Sequence, residues 1–160
     1  NKIAKEVIKK GKRMIILVNK WDLASGTDVS AELYKQDMYD EFKDLRHYPI
    51  LFVSALTKRR VSNILEVAWD IFTKQREKLS TKKLNEWVEK AVRNYPPPAK
   101  LGKSIKLKFI EQVQQSPPIF AIFSNYPKLI SVQYLRYLHN QLRDSFDLKG
   151  ITIKFSLRKG

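Results

Sequence analysis

The chain has 160 residues, 31 Lys and Arg against 16 Asp and Glu, a formal net charge of +15 and 43% apolar residues. That length buries a real core as one ordinary domain or two small ones, and the apolar content argues against a disordered chain. The sequence has no apolar run of membrane-span length, no signal-peptide pattern and no cysteine, which excludes disulfides and fits a cytoplasmic protein with no membrane partner. The charge points to an anionic partner, nucleic acid first. The first residue is Asn1 rather than Met, so the chain is expected to begin inside a longer one.

Residues 1–10 read as the end of a basic helix stopped by Gly11. Met14 to Val18 is a continuous apolar run of strand length, expected to be covered on both faces. Leu33, Tyr34, Met38, Phe42 and Leu45 recur at helical spacing. Ile50 to Val53 is a second buried run, and Val61, Ile64, Leu65, Ala68, Ile71 and Phe72 mark another helix. This alternation belongs to a parallel α/β sheet. Two strands cannot bury both faces and both edges, so the segment reads as the trailing part of a larger sheet with an unpaired edge at 14–18, open to association or swapping.

The second half differs. Ser80 or Thr81 can cap a helix whose stripe is Leu84, Trp87, Val88, Ala91 and Val92. Pro96 to Pro98 stop it. Ile105, Leu107 and Phe109 alternate with Lys106 and Lys108 as a strand with one wet face. Ser116 to Pro118 turn into the strand Ile119 to Phe123. A helix over 131–147 follows, closed by Gly150, and Ile151, Ile153, Phe155 and Leu157 form a last strand with Thr152, Lys154, Ser156 and Arg158 opposite. The order α-β-β-α-β describes a small α+β sandwich. Residues 1–79 hold 16 Lys and Arg with 11 Asp and Glu, whereas residues 80–160 hold 15 with 5, so the second half carries two-thirds of the excess charge. Charge and element pattern together predict two modules, 1–79 and 80–160.

Asn19-Lys20-Trp21-Asp22 follows the first strand and is the N-K-x-D pattern of guanine recognition. The Asp22 carboxylate can accept from guanine N1–H and its N2 amine together. Adenine offers neither, and the mismatch costs about 1–3 kcal/mol. Asn19 can bond the other edge of the base and tie the loop to its neighbours, and the Lys20 methylenes can lie along the base. Trp21 packs beneath this loop or covers its rim. Ser54-Ala55-Leu56, after the second strand, matches the S-A-[KL] loop, in which the Ala N–H reaches guanine O6 and the Ser side chain steadies the loop. Either motif alone is equally an ordinary strand-to-helix turn. Both in this order and context point to one base site. No G-x-x-x-x-G-K-[ST] phosphate loop is present, and no D-x-x-G switch is read in the setting of a nucleotide site. The chain is therefore not expected to hydrolyse GTP alone.

Residues 11–23 (GKRMIILVNKWDL) and 53–61 (VSALTKRRV) resemble the second GTPase domain of the Der, or EngA, family. The resemblance continues through 106–109 (KLKF), 115–127 (QSPPIFAIFSNYP) and 134–146 (YLRYLHNQLRDSF). It implies the end of a P-loop-type GTPase sheet followed by a KH-like domain, within a bacterial GTPase of two tandem G domains that acts in large ribosomal subunit assembly. It further implies GTP or GDP with Mg²⁺ in the full-length protein, the Mg²⁺ ligands and other G-domain parts lying upstream of Asn1. Asn19, Lys20, Asp22, Ser54 and Ala55 would contact guanine. The implied partners are the large subunit, its rRNA and the upstream G domains.

The second half lacks the G-x-x-G loop with which RNA-binding KH domains clamp a backbone. Its alternation instead sends Lys106, Lys108, Lys154 and Arg158 to one sheet face, and Arg136 and Arg143 to one helix face, as candidate contacts to rRNA phosphates or an acidic neighbour. Solvated charges that protect edges and solubility are the alternative. Trp69 and Trp87 read as core or interface, and His47 and His139 as structural or exposed. A non-catalytic RNA- or protein-binding module, with N-K-W-D incidental, is the competing function.

Overall fold

The computed structural model describes residues 2–24, 27 and 30–160, so Asn1, on which the expectation of a longer chain rests, lies outside the described residues. It is a mixed α/β chain with two small sheets. The chain divides into two compact units, Asn1–Lys74 with Lys149–Thr152, and Gln75–Leu148 with Ile153–Gly160.

In the first unit, α1 (Lys2–Lys9) ends on Gly11 at φ +70°. The Gly11 N–H donates to the Ile8 carbonyl and the Lys12 N–H to that of Val7, at 3.0 and 3.1 Å, which satisfies two carbonyls of the last turn. Strands β1 (Ile16–Val18) and β2 (Ile50–Phe52) pair in parallel, Ile16 opposite Ile50 and Val18 opposite Phe52. Helix α2 (Ala31–Glu41) starts on Ser30, whose Oγ accepts from the Leu33 N–H at 3.0 Å. Helix α3 spans Ser62–Arg76.

Ile50, Phe52, Val53, Tyr48 and Ile71 are buried, but β1 is not covered on both faces, since Leu17 is exposed. Leu33, Tyr34 and Leu65, which recur at helical spacing, are exposed as well, and so is Trp69, read as core or interface. Helical periodicity marks an apolar face, but burial requires a neighbouring layer. Trp69 instead stacks on Phe72, ring centroids 5.5 Å apart.

In the second unit, α4 (Thr81–Asn94) and α5 (Val132–Ser145) accompany an antiparallel–parallel sheet of β3 (Leu107–Gln115), β4 (Pro118–Ser124) and β5 (Lys154–Lys159), in the order β3-β4-β5. Of the expected stripe, Leu84, Trp87, Val88 and Ala91 are buried with Ile110, Phe120, Ile122, Tyr134, Leu138 and Leu142, and Val92 is half-buried. Asn85 completes the edge of β3: its Oδ1 accepts from the Ile110 N–H at 3.0 Å and its Nδ2 donates to the Ile110 carbonyl at 3.1 Å.

Three sequence expectations change. The register of β3 on β4 shifts between Leu107 and Phe109, so strict alternation fails: Ile110 is buried at 0% exposure and Phe109 is 39% exposed. One extra residue in a strand reverses the faces of those beyond it, here as far as a second shift between Gln112 and Gln114. Helix α5 ends before Gly150, because Asp147 adopts φ +46° and the Leu148 N–H bonds the Arg143 carbonyl at 3.1 Å. Gly150, at φ +75°, serves a packed turn in the first unit, where a Cβ would meet Ile71 Cδ1 at 2.5 Å. Finally, the last strand begins at Lys154, and Thr152, placed on the wet face by alternation, is buried. Its hydroxyl donates to the Lys12 carbonyl at 2.8 Å and therefore accepts from Tyr48 OH, also at 2.8 Å.

Candidate functional site

The parallel pairing of β1 and β2 sets their following loops side by side. The Val53 N–H bonds the Val18 carbonyl at 2.9 Å, and the Trp21 N–H bonds the Val53 carbonyl at 3.0 Å. Asn19 then joins the loops. Its Oδ1 accepts from the Lys20 N–H at 2.8 Å and from the Ala55 N–H at 3.0 Å. Lys20 takes a left-handed conformation, φ +60°, which turns the chain back toward β2. Trp21 packs inward, 4.3 Å from Phe52 and 5.6 Å from Tyr34 between ring centroids.

Ser54 is buried and its Oγ accepts from the Thr57 N–H at 3.1 Å, which holds the second loop. Leu56 is 86% exposed at its tip. Asp22 lies in the short 3₁₀ turn Trp21–Ala24, and its Oδ1 is buried with no hydrogen-bond partner among the described residues. A buried carboxylate oxygen without a donor is costly, so this atom is suited to a ligand carrying N–H groups. The Ala55 N–H already serves Asn19, so a base oxygen reaching it must share that proton.

Among the described residues no group of three or more His, Asp or Glu could hold a metal ion, and no magnesium ligand is assigned. The string Asp147-Leu148-Lys149-Gly150 has D-x-x-G spacing, but it lies in the turns that follow α5.

On the second unit, β4 and β5 put Lys154 opposite Ile119 and Arg158 opposite Phe123, so both basic residues share the sheet face turned away from the buried Phe120 and Ile122. Lys106 and Lys108 are exposed, Lys108 at the register shift of β3. The expected helix pair is not formed as a surface. Arg136 is exposed, but Arg143 is 3% exposed, its Nε donating to His139 Nδ1 at 3.4 Å and its Nη1 to the Leu148 carbonyl at 3.3 Å. The chain beyond α5 folds back over that turn of the helix. His139 Nε2 lies 3.2 Å from the Ile153 carbonyl, a structural role. Sequence reasoning put Phe109 in the core and so missed it as a surface residue; the same spacing gives no sign of the bulge.

A chain with paired strand-end loops in one unit, and two helices on a three-stranded sheet in the other, belongs to the mixed α/β class. The family described as KH-domain-like of EngA bacterial GTPase enzymes, C-terminal, matches residues 78–158. The chain belongs to this EngA family. It is 39% identical over 151 residues to the GTPase Der of Flavobacterium johnsoniae, covering 94% of this chain and 35% of that protein. It is 35% identical to that of Chloroherpeton thalassium, covering 99% and 36%, and 34% identical to that of Rickettsia prowazekii, covering 98% and 36%. The chain thus spans about a third of the length of these relatives. A crystal structure of Era with MgGDPNP and a 16S ribosomal RNA segment aligns with 97% of this chain and 59% of that one, at 16% identity and a TM-score of 0.30, too low to indicate a common fold.

Proposed function

We propose that the chain supplies the guanine-reading loops and the ribosome-docking unit of a GTPase that acts in assembly of the large ribosomal subunit. In this reading residues 1–79 are the end of a P-loop-type G domain and residues 80–160 a KH-like domain of α-β-β-α-β order, working in the cytoplasm. The observation that carries it is the Asn19 clasp across the two strand-end loops, together with the buried Asp22 Oδ1, which has no hydrogen-bond partner among the described residues. Asp22 would accept from N1–H and the N2 amine of the base, Asn19 Nδ2 would donate to its imidazole edge, and Trp21 and Ser54 would hold the loops in shape. GTP supplies the phosphoanhydride that is cleaved. This chain contains no phosphate loop, so it would read the base without performing that step.

Titration of the chain with guanosine and with adenosine, followed by amide shifts at Asp22 and Ala55, tests the base site. Guanosine should bind about five- to hundredfold more tightly, the range that about 1–3 kcal/mol of polar mismatch produces. Asp22→Asn replaces an acceptor by a donor and should transfer the preference to xanthosine, whose C2 carries a carbonyl. Equal affinities for guanosine and adenosine, with D22N silent, would leave the competing binding-module function. For docking, Lys106, Lys108, Lys154 and Arg158 would neutralise rRNA phosphates. Charge reversal at Lys106 and Lys108 should then weaken large-subunit binding and flatten its salt dependence. Unchanged binding on both counts would refute that role.

A further inference from the structure

The register shift in β3 creates an arrangement that strand alternation alone hides. Past the shift, Phe109 pairs with Phe123 of β4, which pairs in turn with Arg158 of β5. The two rings stack at 4.0 Å between centroids and 11° between planes, and the Arg158 guanidinium sits 5.8 Å from the Phe123 centroid. Guanidinium, ring and ring therefore form a ladder across all three strands. Phe123 is enclosed by the other two members, while Phe109 ends the ladder 39% exposed. Val113, further along the same strand, is 40% exposed.

The surroundings are basic. Lys154 lies on the ladder's face by its pairing opposite Ile119. Lys108 adjoins it: a Cβ placed on Gly160 would meet Phe123 Cβ at 3.0 Å and Lys108 Cδ at 3.6 Å. One carboxylate, Glu111, shares the face opposite Ala121, against the three cations Lys108, Lys154 and Arg158. An exposed aromatic ring at the end of a stack, flanked by cations, matches the two parts of an unpaired nucleotide: a flat base and a phosphate.

We propose that this sheet face binds single-stranded RNA, with an unpaired base continuing the ladder on Phe109 and its neighbouring phosphates held by Lys108, Lys154 and Arg158. The proposal rests on the docking role given to the basic face and narrows it, from phosphate contact alone to recognition of unpaired nucleotides. A duplex keeps its bases inside its own stack and cannot occupy Phe109. Stacking needs no particular base, so the site is tolerant of sequence.

The test is fluorescence anisotropy of the chain with a labelled oligoadenylate of about ten nucleotides, a blunt RNA duplex of the same length, and polyglutamate as competitor. Phe109→Ala and Phe109→Leu should each weaken single-strand binding by about five- to hundredfold without altering its salt slope, and Phe109→Tyr should restore it. Adenosine monophosphate should shift the Phe109 ring protons upfield, which phosphate contact alone does not do. Equal affinity of the wild-type chain for duplex and single strand, or F109A and F109L binding like wild type while salt dependence persists, overturns stacking and leaves only the phosphate role. Failure of the chain to bind either RNA overturns both. Displacement of RNA by polyglutamate applied at higher concentration than the RNA, with no ring shift, assigns the face to charge alone and also overturns the proposal. A wild-type dimer in sedimentation that F109A dissolves identifies a second copy as the occupant instead.

Discussion

In the proposed site Asn19 would carry two separable roles, and substitution can divide them. Its Oδ1 accepts two backbone N–H groups, from Lys20 at 2.8 Å and Ala55 at 3.0 Å, and the second ties two loops 36 positions apart in sequence. Asn19→Ala removes both bonds. Each is worth about 0.5–1.5 kcal/mol, and Asn19 and Ala55 are both exposed, so water replaces part of the loss and the total should be about 1–2 kcal/mol. Native-state hydrogen exchange reads this directly at the Ala55 amide, where protection should fall about five- to thirtyfold. Asn19→Asp keeps an oxygen in the accepting position but removes the Nδ2 donor. N19D should therefore hold Ala55 protection near the wild-type level while losing guanosine affinity. If Ala55 exchanges at the same rate in N19A as in wild type, the clasp does not hold the loops. If N19D loses protection as N19A does, the oxygen is not the element that matters.

Thr152→Val keeps the side-chain shape but deletes the hydroxyl that links Lys12, Tyr48 and Thr152, and should cost about 2–3 kcal/mol by urea denaturation. Tyr48→Phe should cost less, and the double variant should lose less than the sum of the two because both act on one bond. Asn85→Ala strips both partners from the backbone of Ile110, which is 0% exposed, and should lower the urea midpoint by the equivalent of about 2–4 kcal/mol. Burial first, then the neighbouring Tyr137 and Tyr95, hold the Tyr134 phenol well above its ordinary pKa of 10.0. The unfolded chain ionises this group above about pH 10 while the folded chain does not. Its contribution is thus fully present below pH 10 and lost above it, by up to about 1.4 kcal/mol per pH unit. Urea midpoints between pH 9 and 11 should fall less steeply in Tyr134→Phe than in wild type.

Much of the local structure was legible because its causes lie within a few residues. Gly11 stops α1, Ser80 stands at the start of α4 although its side chain makes no capping bond, and Leu84, Trp87, Val88 and Ala91 of the α4 stripe are buried. The motif loops were legible for the same reason: N-K-W-D and S-A-L each follow a short apolar strand. Their spacing indicated adjacency, but the atom that joins them, Asn19 Oδ1 on the Ala55 N–H, depends on the pairing of β1 with β2.

Elsewhere the outcome was set by neighbours distant in sequence. Arg136 and Arg143 share a helix face by spacing, yet only Arg143 is covered by the returning chain at Leu148. Leu33, Leu65 and Trp69 have the periodicity of core residues and remain exposed. The basic excess on 160 residues, and the guanine-type motif at Asn19 to Asp22, come from the sequence by itself, since side-chain charge and residue identity need no fold. Which cations share a surface, and that Phe109 lies beside them outside the core, was decided by the tertiary structure. The physical reason is the period of two in a strand: a single shift of register, set by the partner strand, exchanges inside for outside.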